Sequence, residues 1–208
     1  MAKLYFRYGA MNSGKTALLL QAAHNYEERG MNVLIVKPTV DSKGEDHLVS
    51  RIGLKRKVDK RLSPTDDIFK YVKGLKKDIK CILVDEAQFL EKEQVDQLMH
   101  IVVKLNIPVI CYGLRSDFKT NGFPGSTRLL ELAHTIEEMK TICSCGRKAM
   151  FNGRKLNNKF VFDGNQVAID GEDKVTYESL CPNCYYEKLE KYNKEKQNFV
   201  WSFFIEYL

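Results

Sequence analysis

Eight residues near the amino terminus have the types and spacing of a phosphate-binding loop. Residues 9–16 read Gly-Ala-Met-Asn-Ser-Gly-Lys-Thr, in which two glycines enclose four residues and a Lys-Thr pair follows. Such a loop directs backbone N–H groups at phosphate oxygens, and the helix after it adds the positive end of its dipole. We expect Lys15 to contact the β- and γ-phosphates and the Thr16 hydroxyl to face Mg²⁺. The loop therefore predicts binding of a nucleoside triphosphate.

Two adjacent acids, Asp85 and Glu86, follow the apolar run at residues 81–84. A phosphate-binding loop needs an acid at the end of a neighbouring strand to hold magnesium, which Asp85 would provide. Glu86 is then the candidate general base for the group that attacks the γ-phosphate. If Glu86 activates water, the protein is an ATPase of the motor or helicase type. If Glu86 accepts a proton from a substrate hydroxyl, the protein is a kinase, and these residues alone fit both.

Four cysteines form two close pairs late in the chain, separated by a 35-residue insert. They are Cys143, Cys145, Cys181 and Cys184. Four thiolates in two pairs suit a tetrahedral structural Zn²⁺ with no open coordination position. The other two cysteines, Cys81 and Cys111, lie in apolar runs and are expected in the core. The four histidines stand apart from the cysteine pairs, and we interpret them as surface or hydrogen-bonded residues; they are His24, His47, His100 and His134.

The elements that must position these groups alternate between strand and helix over the first 140 residues. Continuous apolar runs predict four buried strands, at residues 4–8, 32–36, 81–84 and 108–112. Helical spacing of apolar residues predicts helices after residue 14, over 66–75, through 95–105 and around 129–133. This order predicts an α/β fold with a mostly parallel sheet flanked by helices. Residues 41–59 are polar, lack periodicity, and are expected to form a mobile loop.

Composition limits the remaining possibilities. The chain has 208 residues, 44% of them hydrophobic, which suits one globular domain with a small addition. No apolar run approaches the length of a membrane span, and no cleavable leader precedes the first strand, so we expect a cytoplasmic protein with no membrane partner. The net charge of +6 suits phosphates as well as nucleic acid and decides nothing.

The order of the motifs is similar to that of the type II, zinc-containing thymidine kinases. The resemblance rests on the phosphate-binding loop, residues 85–89 (Asp-Glu-Ala-Gln-Phe), residues 113–118 (Gly-Leu-Arg-Ser-Asp-Phe) and the four-cysteine module, and it covers roughly residues 3–190. It implies transfer of the ATP γ-phosphate to the 5′-hydroxyl of thymidine or deoxyuridine, in pyrimidine deoxynucleotide salvage. It also implies a RecA-like core, a homotetramer, catalytic Mg²⁺, structural Zn²⁺ and a lasso loop that folds over the nucleoside.

The resemblance assigns roles to individual residues. Glu86 matches the catalytic base. The nucleotide-binding positions are Gly9, Ala10, Met11, Asn12, Ser13, Gly14, Lys15, Thr16, Asp85, Glu86, Ala87 and Gln88. The positions that match the thymidine pocket are Met11, Phe89, Leu114, Phe118, Phe123 and Tyr177. The lasso would run from about residue 164 to residue 177, with Ile-Asp-Gly at 169–171 where the family often has Ile-Gly-Gly.

Four further positions follow from the same resemblance with less support. Asn152 falls where the family places a side chain near the thymine. Asp41 and Lys43 occupy the positions where the family has an acidic and a basic residue after the second strand. Arg51 is another candidate for a phosphate contact.

The expected organisation is an ATP-binding domain over residues 1–140, a zinc module with the lasso over 141–192, and an apolar tail over 193–208. We expect the tail to pack on a neighbouring subunit or on the chain's own core. Two other functions compete with the kinase: a nucleic-acid-stimulated ATPase with a zinc ribbon, and a zinc-dependent module that senses ATP. The zinc segment has no dense basic patch with interleaved aromatic residues, so no nucleic-acid partner is expected.

Overall fold

The computed structural model describes residues 1–40, 46–166 and 175–205, with the backbone alone over 198–205. The chain forms two compact units. The first contains Met1–Gly9, Ser13–Arg115 and Gly122–Met139; the second contains Ala10–Asn12, Ser116–Asn121 and the chain from Lys140 onward. The phosphate-binding loop therefore contributes residues to both units. The division at residues 140 and 192 remains a prediction.

The first unit is an α/β structure. Its elements are β1 (Leu4–Tyr8), α1 (Lys15–Glu27), β2 (Asn32–Pro38), β3 (His47–Val49), β4 (Lys55–Lys57), β5 (Lys60–Leu62), α2 (Ile68–Lys73), β6 (Ile79–Val84), α3 (Lys92–His100), β7 (Val109–Gly113), α4 (Pro124–Leu132) and β8 (Thr135–Glu138). A 3₁₀ turn covers Ala87–Phe89, and a π-helical segment, Ile101–Leu105, extends α3. The four strands and four helices predicted in this region are all present.

Six strands form one parallel sheet in the order β5-β2-β6-β7-β1-β8. Its register pairs Phe6 of β1 with Cys111 of β7, and Cys111 with Val84 of β6. Parallel strands end at the same edge, so the residues that follow β1, β6 and β7 meet there. The mostly parallel sheet predicted from the sequence is confirmed, and its carboxyl edge positions the candidate catalytic groups.

Helices cover both faces of this sheet, as continuous apolar strands require. On one face α1 buries Leu19 and Ala23 against Val33, Ile35 and neighbouring strand residues. On the other face α2, α3 and α4 pack over the alternate residues of the same strands, with Leu98 and Leu129 fully or almost fully buried. The sheet is thus the middle layer of three.

The expectation of a mobile loop over residues 41–59 is wrong for its described part, 46–59. His47–Val49 and Lys55–Lys57 form an antiparallel hairpin, and Leu48 is buried in the core on the α1 side. The Asp59 carboxylate accepts a hydrogen bond from the Ile35 amide at 2.7 Å. Strands of three residues between charged positions are too short to show a period of two, which explains the wrong prediction.

The second unit is built from short antiparallel strands and one helix. Its elements are β9 (Thr141–Ile142), β10 (Lys148–Ala149), β11 (Phe151–Leu156), β12 (Lys159–Val161), β13 (Val175–Leu180) and α5 (Pro182–Ile205). Strands β12, β11 and β13 form one sheet in that order, and β9 pairs with β10. Helix α5 begins with a proline, which suits the first turn because that position needs no backbone donor.

A small core holds the second unit together. Phe162, Leu180 and Tyr185 are buried there beside Cys143 and Cys181. The Tyr185 hydroxyl donates to the Phe118 carbonyl at 2.8 Å. From residue 198 onward the side chains of the tail lie outside the described residues, so the packing of its apolar part remains a prediction. Within the described ranges, no helix has both the length and the apolar character needed to cross a bilayer.

Candidate active site and metal centre

The phosphate-binding loop has the backbone that its glycines allow. A Cβ on Gly9 would lie 2.5 Å from the Met139 carbonyl oxygen and 2.5 Å from the Ser13 hydroxyl, so only glycine fits. Gly14 takes a positive φ of 77° immediately before α1 begins at Lys15. The backbone therefore turns sharply into the helix, which leaves the amino end of α1 free of a side-chain cap. Uncapped N–H groups at a helix start are suited to anions.

Lys15 is a buried ammonium at this turn. It is 9% exposed, and its Nζ donates to the Gly9 carbonyl at 3.2 Å and to the Ser13 hydroxyl at 3.3 Å. Burial lowers the pKa of Lys15; the charges of Glu86 and Asp85 oppose this, and that of Arg51 adds to it. Arg51 therefore lies near Lys15, the predicted phosphate contact. Asp41 and Lys43, the other candidates from this region, lie outside the described residues.

Thr16 and Asp85 meet at the carboxyl edge of the sheet. The Thr16 hydroxyl donates to Asp85 Oδ2 at 3.3 Å, and Asp85 is 4% exposed at the end of β6. Burial, and next the charge of Glu86, raise the pKa of Asp85 to about 7. A hydroxyl and a carboxylate are the hard oxygen donors that Mg²⁺ prefers, so the pair fits the predicted metal. A bound cation would favour the ionised carboxylate.

The raised pKa of Asp85 predicts a pH dependence of stability without nucleotide or added magnesium. Between about pH 4 and about pH 7 the folded protein holds a proton on Asp85 that the unfolded chain releases, so the free energy of unfolding falls as pH rises through this window. We expect the wild type to lose stability relative to Asp85→Asn by a few kcal/mol from pH 5 to pH 8. Urea unfolding measures this, with exposed Asp78→Asn as control. Equal pH slopes for wild type and Asp85→Asn would contradict the assignment.

Glu86 is held in an unusual conformation beside Asp85. Its φ of 49° lies in the left-handed region, which a non-glycine residue adopts only when its surroundings impose it. Its carboxylate accepts from Gln88 Nε2 at 2.5 Å, and Gln88 Oε1 accepts from the Leu114 amide at 3.0 Å. Gln88 is 1% exposed, so this bridge from β6 to the end of β7 is internal. The candidate base is thus fixed by a buried amide.

Three residues predicted to contact a nucleoside lie in the first unit. Leu114 and Phe123 are buried, and Phe89 is partly buried. The rings of Phe89 and Phe123 meet edge to face, with centroids 5.6 Å apart. Ser126 holds the Leu114 carbonyl through a 2.5 Å hydrogen bond. Of the side chains predicted to contact a nucleoside, the first unit therefore holds the paired rings of Phe89 and Phe123 and the side chain of Leu114, whose amide bonds to Gln88.

Met11, another predicted nucleoside contact, belongs to the second unit. Its amide donates to Asn152 Oδ1 at 2.8 Å, and its carbonyl accepts from the Ser179 hydroxyl. Asn152 and Ser179 face each other across β11 and β13, and Asn152 Nδ2 donates to the Ser116 carbonyl at 3.2 Å. Both ends of the Asn152 amide are therefore engaged by backbone groups. The suggested position of Asn152 near a thymine remains a prediction.

Phe118 and Tyr177 complete the set predicted to contact the nucleoside, and both lie in the second unit. Phe118 is 1% exposed, and Tyr177 is partly buried in β13. Both rings lie next to the Arg154 guanidinium, whose Cζ is 3.7 Å from the Phe118 centroid and 5.6 Å from that of Tyr177. Residues 169–171 of the expected lasso lie outside the described residues.

The four paired cysteines converge as the sequence predicts. The Sγ atoms of Cys143, Cys145, Cys181 and Cys184 all lie within 4.8 Å of one another. A tetrahedral Zn²⁺ with bonds of about 2.3 Å places its sulfurs about 3.8 Å apart, so the cluster fits this ion with little adjustment. The Cys184 amide approaches Cys181 Sγ at 3.5 Å, which suits a thiolate in the tight turn before α5.

The other cysteines and the histidines are placed as expected. Cys81 and Cys111 are fully buried in β6 and β7, and burial raises both thiol pKa values, that of Cys81 to about 11. His24 pairs with Glu28 on the surface of α1, and His134 accepts a hydrogen bond from the Leu4 amide at 3.1 Å.

On the polar face of the second unit, sequence reasoning named Asn152 and Tyr177 but missed Arg154 and Ser179. Asn152 and Arg154 are two residues apart in β11 and lie opposite Ser179 and Tyr177 in β13. Residues at this spacing in a strand share one face, so period-two alternation could have grouped Asn152 with Arg154 and Tyr177 with Ser179. Without the register, nothing in the sequence linked these two segments.

Comparison with known proteins places the chain in a family. The family model for thymidine kinase matches residues 2–185. The chain is 46% identical to the thymidine kinase of Enterobacteria phage T4 over 195 residues, which covers 92% of this chain and 99% of that protein. It is 48% identical to the thymidine kinase of Pasteurella multocida over 193 residues, which covers 91% and 99%. It is 45% identical to that of Streptococcus gordonii over 189 residues, which covers 90% and 97%.

These matches run from the first strand through the phosphate-binding loop and the acid pair to the cysteine pairs, and the zinc-binding cluster is consistent with the type II branch. The chain therefore belongs to the thymidine kinase family.

Proposed function

We propose that this kinase transfers the γ-phosphate of ATP to the 5′-hydroxyl of thymidine or deoxyuridine, with Glu86 as the general base. One observation carries the proposal: at the carboxyl edge of the sheet the buried Asp85, hydrogen-bonded to Thr16, lies beside Glu86, whose carboxylate is oriented by Gln88. This places a metal-binding acid and a candidate base on adjacent residues after β6. Family membership makes the enzyme a phosphotransferase that uses ATP, and these residues would supply the chemistry.

ATP binding is assigned to residues 9–16 and to the acids after β6. The loop N–H groups and the start of α1 would bind the phosphates, and Lys15 would neutralise charge on the β- and γ-phosphates. Arg51 is a second cation near Lys15 and would add to this neutralisation. Thr16 and Asp85 would hold Mg²⁺, which withdraws charge from the β- and γ-phosphate oxygens when bound. For Ala87 and Gln88 a contact with ATP remains a prediction, since both are buried.

Glu86 would perform the proton transfer. The 5′-oxygen attacks the γ-phosphorus while its proton passes to the Glu86 carboxylate, and the bond to the β–γ bridging oxygen breaks to release ADP. Gln88 donates to Glu86 and accepts from Leu114, so the carboxylate cannot rotate freely. A base that is already oriented loses less entropy in the transition state.

The nucleoside is assigned to six mostly apolar side chains. Phe89, Leu114 and Phe123 belong to the first unit, and Met11, Phe118 and Tyr177 to the second. Flat apolar surfaces suit a pyrimidine base, and the polar atoms that orient it can come from backbone groups.

Structural Zn²⁺ would stabilise the second unit without taking part in the reaction. Its four ligands would all be cysteine thiolates, which fill the tetrahedral sphere and leave no position for a substrate or water. A homotetramer is proposed on the family resemblance, and a cytoplasmic location on the sequence expectation given above. The tail at 193–208 lies beyond the residues that the family model matches, and we propose that it packs on a neighbouring subunit or on the chain's own core.

A nucleoside panel tests the proposed function. With γ-labelled ATP and Mg²⁺, thymidine and deoxyuridine are expected to take up label, and purine deoxynucleosides are assayed beside them as the comparison. Parallel reactions with DNA and RNA measure release of labelled phosphate. Hydrolysis that rises with nucleic acid and ignores thymidine would instead indicate an ATPase. Binding of ATP with no labelled nucleoside would indicate an ATP-sensing module.

A further inference from the structure

Arg154 is a buried cation that the proposed reaction does not use. It lies in the middle of β11 and is 5% exposed. The salt bridges among the described residues do not include Arg154, although a buried guanidinium is usually paired with a carboxylate. Its charge is instead met by carbonyl oxygens, a hydroxyl group and two aromatic rings. A guanidinium held in this way can orient the groups that it contacts.

Three N–H groups of the guanidinium reach three fixed points. Nη1 donates to the Asn165 carbonyl at 2.8 Å and Nη2 to the Gln166 carbonyl at 2.9 Å. Nε donates to the Tyr177 hydroxyl at 3.1 Å, across the β11–β13 register. One planar side chain therefore ties β13 to the chain around residue 165. A lysine could not reproduce these contacts, because its ammonium is a point charge without the planar fork.

The same guanidinium covers one face of Phe118. Its Cζ lies 3.7 Å from the ring centroid, which is a close cation–π contact. Asp117 builds the turn that carries this ring, accepting from the amides of Lys119 and Asn121 at 2.8 Å each. The second Asp117 oxygen accepts from Gln166 Nε2 at 3.2 Å. The turn and the residue-165 region are thus joined twice, through Arg154 and through Asp117.

We propose that Arg154 is a positioning residue for the nucleoside: it fixes the ring of Phe118 and the ring of Tyr177 in one arrangement. The inference rests on the proposed function, in which these two rings contact thymidine. The Tyr177 hydroxyl accepts a hydrogen bond from Arg154 Nε, and the contact with the nucleoside is assigned to the Tyr177 ring. The hydrogen bonds and ring contacts of Arg154 among the described residues go to Asn165, Gln166, Tyr177 and Phe118, none of them assigned to ATP, so Arg154 is expected to act on thymidine binding more than on ATP binding.

Steady-state kinetics of full-length Arg154→Met and Arg154→Lys, with separate KM values for thymidine and ATP, tests this role. Loss of the fork and the charge is expected to raise the thymidine KM of Arg154→Met about tenfold or more, with the ATP KM within about twofold of the wild type. Arg154→Lys keeps a cation near Phe118 and should fall between the two.

Lys155→Met is the matched control, since it removes the neighbouring cation, which pairs with Glu178. It should keep both KM values. An unchanged thymidine KM in a folded, zinc-loaded Arg154→Met would overturn the proposal, as would equal rises in both KM values, which indicate a general structural role. If Arg154→Met loses zinc or its cooperative melt, Arg154→Lys decides, and a wild-type thymidine KM there would overturn the proposal. Failure of the proposed function can be told apart from failure of the Arg154 proposal, because in the first case the wild type itself would not phosphorylate thymidine.

Discussion

Replacing Glu86 with glutamine is expected to lower the rate of thymidine phosphorylation by about two to four orders of magnitude while ATP still binds. Glutamine has nearly the same shape, so the hydrogen-bonding position beside Gln88 remains filled, but it cannot accept the proton of the 5′-hydroxyl. ATP binding depends on the loop backbone, Lys15 and the Thr16–Asp85 pair, and these are unchanged. The loss should therefore appear in kcat and not in the affinity for ATP.

Rapid-quench measurement of the chemical step, together with calorimetric titration of ATP, separates these two quantities. Glu93→Gln is the matched control, because Glu93 is exposed in the first turn of α3 and loses the same charge. A Glu86→Gln enzyme that turns over at the wild-type rate would reject Glu86 as the base. Loss of ATP affinity in the same variant would mean that Glu86 serves the nucleotide instead.

Replacing Cys181 with serine is expected to unfold much of the second unit and abolish activity. Structural Zn²⁺ in small domains contributes on the order of 10 kcal/mol to folding, which exceeds the stability of a typical domain. Cys181 is a thiol of the cluster and is also buried in the core of the second unit beside Leu180 and Tyr185. Removing it weakens the site and the core together. The six-stranded sheet belongs to the first unit and should keep its hydrogen-bonded strands.

Zinc content by atomic emission and hydrogen exchange resolved along the chain measure both effects. The variant should hold far less zinc than the wild type and should lose protection in β11 and β13 while β6 and β7 stay protected. Ser144→Ala, between two ligands but with no thiol, is the control and should keep its zinc. Full zinc occupancy and protected strands in Cys181→Ser would show that the cluster does not hold the unit together.

The sequence predicted the fold best in its central strands. Continuous apolar runs identified β1, β2, β6 and β7, because central parallel strands are buried on both faces. The edge strands β5 and β8 were not predicted, since Lys60–Leu62 and Thr135–Glu138 are short and carry charges. Edge strands are solvated on one side, so their sequences lack the apolar signal.

Within the site, single motifs were predictable and the links between distant segments were not. The loop at 9–16, the acid pair and the four cysteines follow from spacing along the chain. The bridge from Glu86 through Gln88 to Leu114 depends on how β6 and β7 end side by side. The contacts of Arg154 depend on the antiparallel register that places it opposite Tyr177. Register is set by tertiary packing, which one sequence does not reveal.

The left-handed backbone of Glu86 was also invisible in the sequence. A non-glycine residue at a φ of 49° costs of order 1 kcal/mol or more and persists where surrounding contacts impose it. Here the conformation directs the carboxylate of the candidate base toward Gln88. Local strain at this position therefore accompanies the orientation of the candidate base.

The most direct test of the account is the identity of the products in a single turnover of the wild-type enzyme with ATP, Mg²⁺ and thymidine. We predict that ADP and thymidine 5′-monophosphate form in equal amounts, with no inorganic phosphate, because the 5′-oxygen and not water attacks the γ-phosphorus. ADP and inorganic phosphate without a nucleotide product of thymidine would contradict the account.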